Sequence, residues 1–574
     1  MIFRLFFTLI LLSHWNLATA LELEVEIEGL DDALEKNVRH FLSIERERGR
    51  AELTTGRVRH LHKQAPEQIR KALQPYGFFR STTEAELLSN DKGFVAHYRV
   101  ATGEAVRFKQ VAFLVEGPGR DDPVLTAGFP LVAGDALNQT AYEKAKDEVL
   151  STAVEAGYLD ARFAVHELRV DLDSYSASID LRLESGPRYR FGAIRFHQDE
   201  FDPAFLRRYL HFEEGELFDL EQLRSLQTQL VDSEYFTQVE VRPARELAEG
   251  DRIPLDITLT PSKPNRYRMG IGYATDVGPR VSLDWQRRHI GDEGHRMLAE
   301  LSLSPVYSQL KGEYLIPLQR PSLDSLAFTV GAEHYNNDTR KGDRLVLGAT
   351  HSLGMDDEWR RNLSLEYARE NFEIADTPGS AHYLMPKVSW SHLKSDGLGR
   401  VQHGHRIHYQ LTGASQPLLS SSSFLQAHLR TKSIFSFYDA WRLHGRIELG
   451  ASLAESAADL PASMRFYAGG DNSIRGYELD ELGPQDGAGE VFGGRYLGVA
   501  SLELERKLVG KWSAALFYDT GNAFDTGSDN TMIQGAGFGL RWQSPVGPVR
   551  VDLANALSRD GHPWRLHLVV GPEL

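Results

Sequence analysis

A chain of 574 residues exceeds one ordinary domain, and a formal net charge of −16 excludes a nucleic-acid partner, which needs a basic surface. With no cysteine, the chain forms neither disulfides nor thiolate metal sites. After the N-terminus no apolar run reaches the ~18 residues of a membrane helix, so a membrane role has to come from a closed barrel.

At the N-terminus, Arg4 precedes the apolar run Leu5-Phe6-Phe7-Thr8-Leu9-Ile10-Leu11-Leu12, and Ala18-Thr19-Ala20 forms a small-x-small cleavage site. Residues 1–20 are therefore expected to be a secretory signal peptide. The abrupt change to Glu22, Glu24 and Glu26 argues against an unprocessed buried helix.

Residues 21–264 contain a degenerate repeat with a period of about 80 residues, longer than solenoid repeats. Each copy carries a helical stretch, a Gly/aromatic break, two strands and a basic-aromatic junction. The helical stretches are 66–73, 142–155 and 220–231. The breaks are Tyr76-Gly77-Phe78-Phe79, Gly157-Tyr158-Leu159 and Tyr235-Phe236. Strands follow at 93–100, 177–183 and 255–259. The pattern predicts three small α+β domains at 21–101, 102–187 and 188–264, each with its own core.

From residue 265 helical periodicity stops. Alternating segments of about ten residues recur, as in transmembrane strands, and about 16 of them occupy 265–574. In the last, Trp564, Leu566, Leu568 and Val570 share one face while Arg565 and His567 share the other. A soluble sandwich would bury the apolar face against a second sheet. It would not set charges opposite that face over so many successive strands.

The longest polar connection, 454–490, joins the eleventh and twelfth segments and carries Arg465-Phe466-Tyr467-Ala468-Gly469-Gly470-Asp471-Asn472-Ser473-Ile474-Arg475-Gly476-Tyr477. This stretch resembles the sixth-loop motif of outer-membrane assembly-factor barrels, whose Arg-Gly-aromatic tip folds into the lumen. The three N-terminal repeats resemble POTRA domains, periplasmic modules that bind client or partner chains by adding a strand to a sheet edge. The bland alternative is three spacers. The resemblance implies three small α+β POTRA domains followed by a 16-stranded antiparallel transmembrane β-barrel in the bacterial outer membrane, with the N-terminal domains in the periplasm.

Two sites follow. In the thirteenth segment alternation points Phe517 and Asp519 inward. Phe517-x-Asp519 matches the family's strand motif, whose acid pairs with the loop arginine, so Arg475, Gly476, Tyr477, Phe517 and Asp519 are expected to anchor the loop. Gly535, Gly537 and Gly539 share an inward face and leave space for it. The alternative is a solvated Arg475 and an ordinary lumen acid. The second site is the seam between first and last strands, at Gly270, Gly272, Leu568 and Val570. The inward glycines weaken it, and Pro572 cannot donate to a ladder. The family suggests a lateral gate there, although glycine is also common in ordinary barrels.

Other motifs carry less. His403-x-His405 lacks an evident third ligand, so no metal is expected. The glycines 535–539 lie on a strand with no helix following, unlike a dinucleotide loop. No Gly-x-Ser-x-Gly elbow occurs, which removes the commonest hydrolase reading. Leu574 stands where barrels usually end on an aromatic.

Within the family, three modules and the wording of the loop most resemble the outer-membrane subunit of translocation and assembly modules. That implies non-enzymatic assembly or secretion of autotransporter-type proteins, without a cofactor. The implied partners are a TamB-like inner-membrane-anchored periplasmic protein, unfolded outer-membrane protein clients and outer-membrane lipids. The rival readings are a conduit for phospholipid transport and a passive diffusion porin.

Overall fold

The computed structural model describes residues 22–570 apart from 49, 51–52, 91–92, 356–357, 398–399, 439, 528–530 and 546. The expected signal peptide and the terminal Gly571-Pro572-Glu573-Leu574 lie outside the described residues. The chain divides into two compact units. One holds the first two sheets with residues 213–223 and 243–255; the other holds the barrel with residues 195–212 and 224–242.

In the first module the strand Glu22–Glu28 alternates glutamates with Leu23, Val25 and Ile27, so it has one charged and one apolar face. It runs parallel to the central strand Gly93–Ala101, and Thr82–Ser89 runs antiparallel on the other side. A parallel pair needs a crossover, supplied here by the helices Asp32–Phe41 and Thr55–Leu73. Asp31 caps the first, accepting the Leu34 N–H at 2.9 Å. The second helix begins at Thr55 and not at Pro66, the start read from the sequence. Val58, Leu61, Ala65, Ile69 and Ala72 form one buried stripe along it. Burying three large aliphatic chains contributes about 1.5–3 kcal/mol each, which outweighs the ~3 kcal/mol cost of an interior proline.

The same sheet order, with the last strand in the middle, recurs twice. In the second module Arg107–Glu116 is parallel to Ser176–Glu184, with Arg162–Asp171 antiparallel beyond it. The helix Gln139–Glu155 covers this sheet through Tyr142 and Ala145. The third module orders Arg190–His197, Arg252–Pro261 and Phe236–Pro243, with the helix Leu220–Asp232. The sequence repeat is thus a repeat of structure.

Sixteen antiparallel strands, from Asn265–Ala274 to Trp564–Val570, close a barrel in chain order. Large apolar side chains face outward, to the extreme of Met269 and Ile271, which are 83% and 88% exposed. In water such a surface would aggregate; in a bilayer it meets lipid. At the end where odd-numbered strands begin, Trp512 lies opposite Trp542 with ring centroids 5.6 Å apart, part of an interfacial aromatic girdle. The inner face is polar. Arg344 pairs with Glu333 at 3.0 Å, and Lys387 with Glu366 at 2.7 Å.

Wall height varies. The seventh and eighth strands, Trp359–Ile374 and Thr377–Ser395, stay in register from Trp359 opposite His392 to Ile374 opposite Thr377. The last strand has 7 residues.

Candidate functional site

The connection between the eleventh strand, Trp441–Leu453, and the twelfth, Tyr496–Lys507, folds back as a narrow double-stranded finger. Bridges pair Phe466 with Gly494 and Ala468 with Leu482. Gly469, Gly470 and Gly476 all have φ between +101° and +103°, a region closed to ordinary L-residues. Gly476 has a second reason to lack a side chain, since a Cβ there would stand 3.1 Å from the Ala556 nitrogen.

Arg475 sits at the tip and is 4% exposed. Its guanidinium grips Asp519 with two bonds, Nε to Oδ2 at 2.8 Å and Nη2 to Oδ1 at 3.0 Å. Nη1 donates to Glu503 at 2.7 Å and to Asp552 at 3.1 Å. Arg541 closes the network from the wall, donating to Glu503 at 2.8 Å and to Asp552 at 2.5 Å. Two guanidiniums thus stand among three carboxylates. The Phe517 ring lies 3.4 Å beneath the Arg475 guanidinium carbon. A guanidinium keeps its charge when buried, so only such pairing makes the position tolerable.

Strand register explains the assembly. On the thirteenth strand, Trp512–Phe524, Asp519 lies opposite Ser501 on one side and Gly535 on the other. Phe517 faces Gly537, and Asp552 faces Gly539. The three glycines do different things. A Cβ on Gly535 would sit 2.1 Å from the Arg475 carbonyl oxygen, so this glycine receives the loop itself. A Cβ on Gly537 would meet the Leu553 carbonyl oxygen at 2.2 Å and the Phe517 ring at 2.6 Å, and one on Gly539 would meet Asp552 at 1.9 Å. Those two make room for the side chains that hold the arginine. Tyr477 is buried with Phe466, Ile474 and Val499, its hydroxyl donating to the Gln534 carbonyl at 3.2 Å.

The loop also reaches the seam. His567, on the last strand, accepts the Gly476 N–H on Nε2 at 2.9 Å, so its Nδ1 carries the hydrogen and donates it to Asp471. The other Asp471 oxygen accepts the Asp276 N–H at 3.2 Å, from the turn after the first strand. One loop carboxylate therefore bridges both sides of the seam. Asp276, Asp471 and His567 have ligand atoms within 4.8 Å of one another, spacing that suits a metal ion. Both imidazole nitrogens are already engaged, and the protonated Nδ1 has no lone pair to offer.

The seam itself is sparse. Among the described residues, Ala274 opposite Val569 is its one register pair. Thr275 adds its N–H to the Leu568 carbonyl at 3.0 Å, and the Leu568 N–H donates to the Thr275 hydroxyl at 2.7 Å. Gly272 approaches the carbonyl of Val570, which lies 3.8 Å from its Cβ position, whereas Gly270 abuts Ser282 on the second strand. The remaining candidates stay apart from this site: His405 stacks on His392 at 4.8 Å, and His403 lies beside Asp396.

Sequence reasoning brought Arg475 to Asp519 but missed its contacts with Glu503 and Asp552, the part of Arg541, and the separate link of Asp471 to Asp276 and His567. Alternation places Glu503 and Arg541 in the lumen, a signal available but unspecific among many lumen charges.

Relatives of this chain include outer-membrane assembly factors. The Omp85 superfamily domain matches residues 292–571, the POTRA domain described as TamA domain 1 matches 24–102, and the POTRA family described as surface antigen variable number repeat matches 189–262. The outer membrane protein assembly factor BamA of Nitratidesulfovibrio vulgaris is 22% identical over 96% of this chain and 72% of its own length. BamA of Neisseria meningitidis is 20% identical over 86% of this chain and 70% of its own. The crystal structure of Haemophilus ducreyi BamA lacking POTRA domains 1–3 superposes with a TM-score of 0.69 at 16% identity, over 81% of this chain and 99% of that one, a likeness of fold. With its three sheet modules, its closed barrel and its lumen-inserted loop, the chain belongs to the Omp85 superfamily of POTRA-bearing outer-membrane barrels.

Proposed function

We propose that this protein is a TamA-type subunit of a translocation and assembly machine, which helps to insert or secrete autotransporter-type proteins without enzymatic chemistry. The observation that carries this reading is the pairing of a TamA-type first POTRA domain with two further sheet modules before the barrel among the described residues. In this reading the POTRA domains are 21–101, 102–187 and 188–264, and the barrel is 265–574. A TamB-like partner docks on the POTRA domains by strand addition, since each sheet presents an edge strand. Arg475, Gly476, Tyr477, Phe517 and Asp519 hold the loop against the wall cleared at Gly535, Gly537 and Gly539. The seam at Gly270, Gly272, Leu568 and Val570 offers an edge on which a client strand is templated. A passive porin is the poorer reading, because the loop fills part of the lumen that a diffusion pore keeps open.

The test is photocrosslinking in cells from a reactive residue at Ile271, on the outward face of the first strand, and from one at Leu88, on the edge strand of the first module. Trapped unfolded barrel or autotransporter chains at Ile271, with a periplasmic partner at Leu88, are the expected result. Phospholipid alone at both positions would favour the conduit reading and overturn this one.

A further inference from the structure

The lumen beside the loop tip holds a cavity of about 880 Å³, within the size range of small-ligand sites. Its wall is basic in a chain that is acidic overall, at −16. Arg406, on the ninth strand His403–Ala414, lies directly opposite Lys432 on the tenth, Phe424–Phe437. Lys432 in turn lies opposite Arg446 on the eleventh. Like charges directly opposite each other destabilise a sheet, and here three cations stand in one row across three strands. Arg360 and Arg550 face the same space.

Of the five carboxylates lining the cavity, Glu358 lies 4.0 Å from His392 and the other four are committed elsewhere. Glu503 serves Arg475 and Arg541, Glu505 serves Arg400 and Arg442, Glu448 pairs with His428, and Asp471 with His567. Arg446 spends both terminal nitrogens on the carbonyls of Asn472 and Ser473, and its buried Nε has no partner among the described residues. Arg360 and Arg406 have no carboxylate within ion-pair distance among the described residues.

We infer that this cavity is a binding site for a compact, multiply charged anion of the phosphate class, held by Arg406, Lys432 and Arg446 with Arg360 and Arg550 around them. Converging cations suit a ligand that concentrates several charges on one group, and a guanidinium fork matches phosphate oxygens bidentately. A carboxylate-bearing peptide spreads its charge along a chain and fits the row less well. Phosphate of this kind is carried both by lipid headgroups and by soluble phosphate compounds.

The probe is inorganic pyrophosphate, titrated calorimetrically into the full-length protein in detergent. Saturable binding is expected. The Arg406→Gln, Lys432→Gln double variant should weaken it by about tenfold or more, since it removes two charge-assisted contacts, and Arg59→Gln on a module helix should leave it unchanged. Heat-modifiable gel mobility confirms that each variant has folded. Phosphatidylglycerol in mixed micelles that displaces pyrophosphate would identify a lipid headgroup as the source, whereas displacement by soluble phosphates alone would identify those; either sustains the site. No saturable binding by the wild type, equal binding by citrate, or a folded double variant that binds as tightly as wild type would overturn it. The readout is binding alone, so it stands apart from any outcome of client assembly.

Discussion

Two parts of the barrel wall are closed in opposite ways. Between the twelfth and thirteenth strands the ladder is continuous, from Tyr496 opposite Phe524 to Lys507 opposite Ser513, and Asp519 adds a buried ion network on its inner face. Between the last and first strands, the described residues share a single register pair at Ala274 and Val569. Each ladder bond adds only ~1 kcal/mol net, so a wall gains strength by repetition, and the seam has almost none. What the seam has instead is the loop. Asp471 touches Asp276 on one side and His567 on the other, while Arg475, four residues on, is fixed to the twelfth, thirteenth and fifteenth strands. Closure at the seam thus rests on one register pair, the bonds between Thr275 and Leu568, and the Asp471 side chain, and the proposed opening would need only this short set to part.

The largest effect should come from removing that freedom. Ala274 and Val569 are Cα partners on the inner face, so Ala274→Cys with Val569→Cys places two thiols within reach of a disulfide. The oxidised protein should stay folded and lose client assembly, and reductant should restore it. Full activity while locked would mean that the two kinds of closure do not differ in function.

Next in size is Arg475→Ala, which strikes the strong region. It leaves Asp519 with the Ser501 hydroxyl in place of a guanidinium, while Glu503 and Asp552 keep Arg541. Removing one member of a buried ion network costs about 3–5 kcal/mol, chiefly through the charges left behind. The barrel ladder does not depend on it, so heat-modifiable mobility should persist while limited proteolysis within 465–490 accelerates and client assembly falls. A loop that stays protected would show that the apolar packing of Tyr477 and Ile474 is the true anchor.

How much of this was legible follows the same divide. Strand alternation has a period of two, so the facing of Asp519 and of the glycines at 535, 537 and 539 could be read along single segments. The partners Glu503, Asp552 and Arg541 could not, because which lumen charges meet depends on register across four strands. The bridge from Asp471 to Asp276 joins positions 195 residues apart through a loop whose path no local pattern encodes. In the first module the proline at 66 read as a helix start, because local propensity is visible in sequence and the buried stripe that overrides it is set by tertiary packing.

Gly535→Ala should be smaller and informative. The added methyl would collide with the Arg475 carbonyl at 2.1 Å, backbone that cannot swing aside as a side-chain tip would. Overpacking of this kind costs about 1–3 kcal/mol. Gly445→Ala, with nothing within 4 Å of its Cβ position, is the control and should melt like wild type. If both variants melt alike, the loop does not press on the wall as closely as its geometry requires.

The smallest effect, and the sharpest for the comparison, belongs to His567→Ala. It removes the acceptor of the Gly476 N–H and one donor to Asp471, leaving two buried polar groups short of a partner. Unsatisfied groups cost about 1–3 kcal/mol, less than the loss of a buried charge. The place of the damage matters more than its size. Arg475 keeps all its carboxylates, so the loop should stay docked and the twelfth to fourteenth strands should keep their hydrogen-exchange protection. Amides around Thr275 and Leu568, which bond to each other across the seam, should exchange faster. Faster exchange there without loss of protection at Asp519 would separate the latch from the anchor. Faster exchange at both would mean that the loop is one cooperative unit, in which holding the wall and holding the seam are the same event.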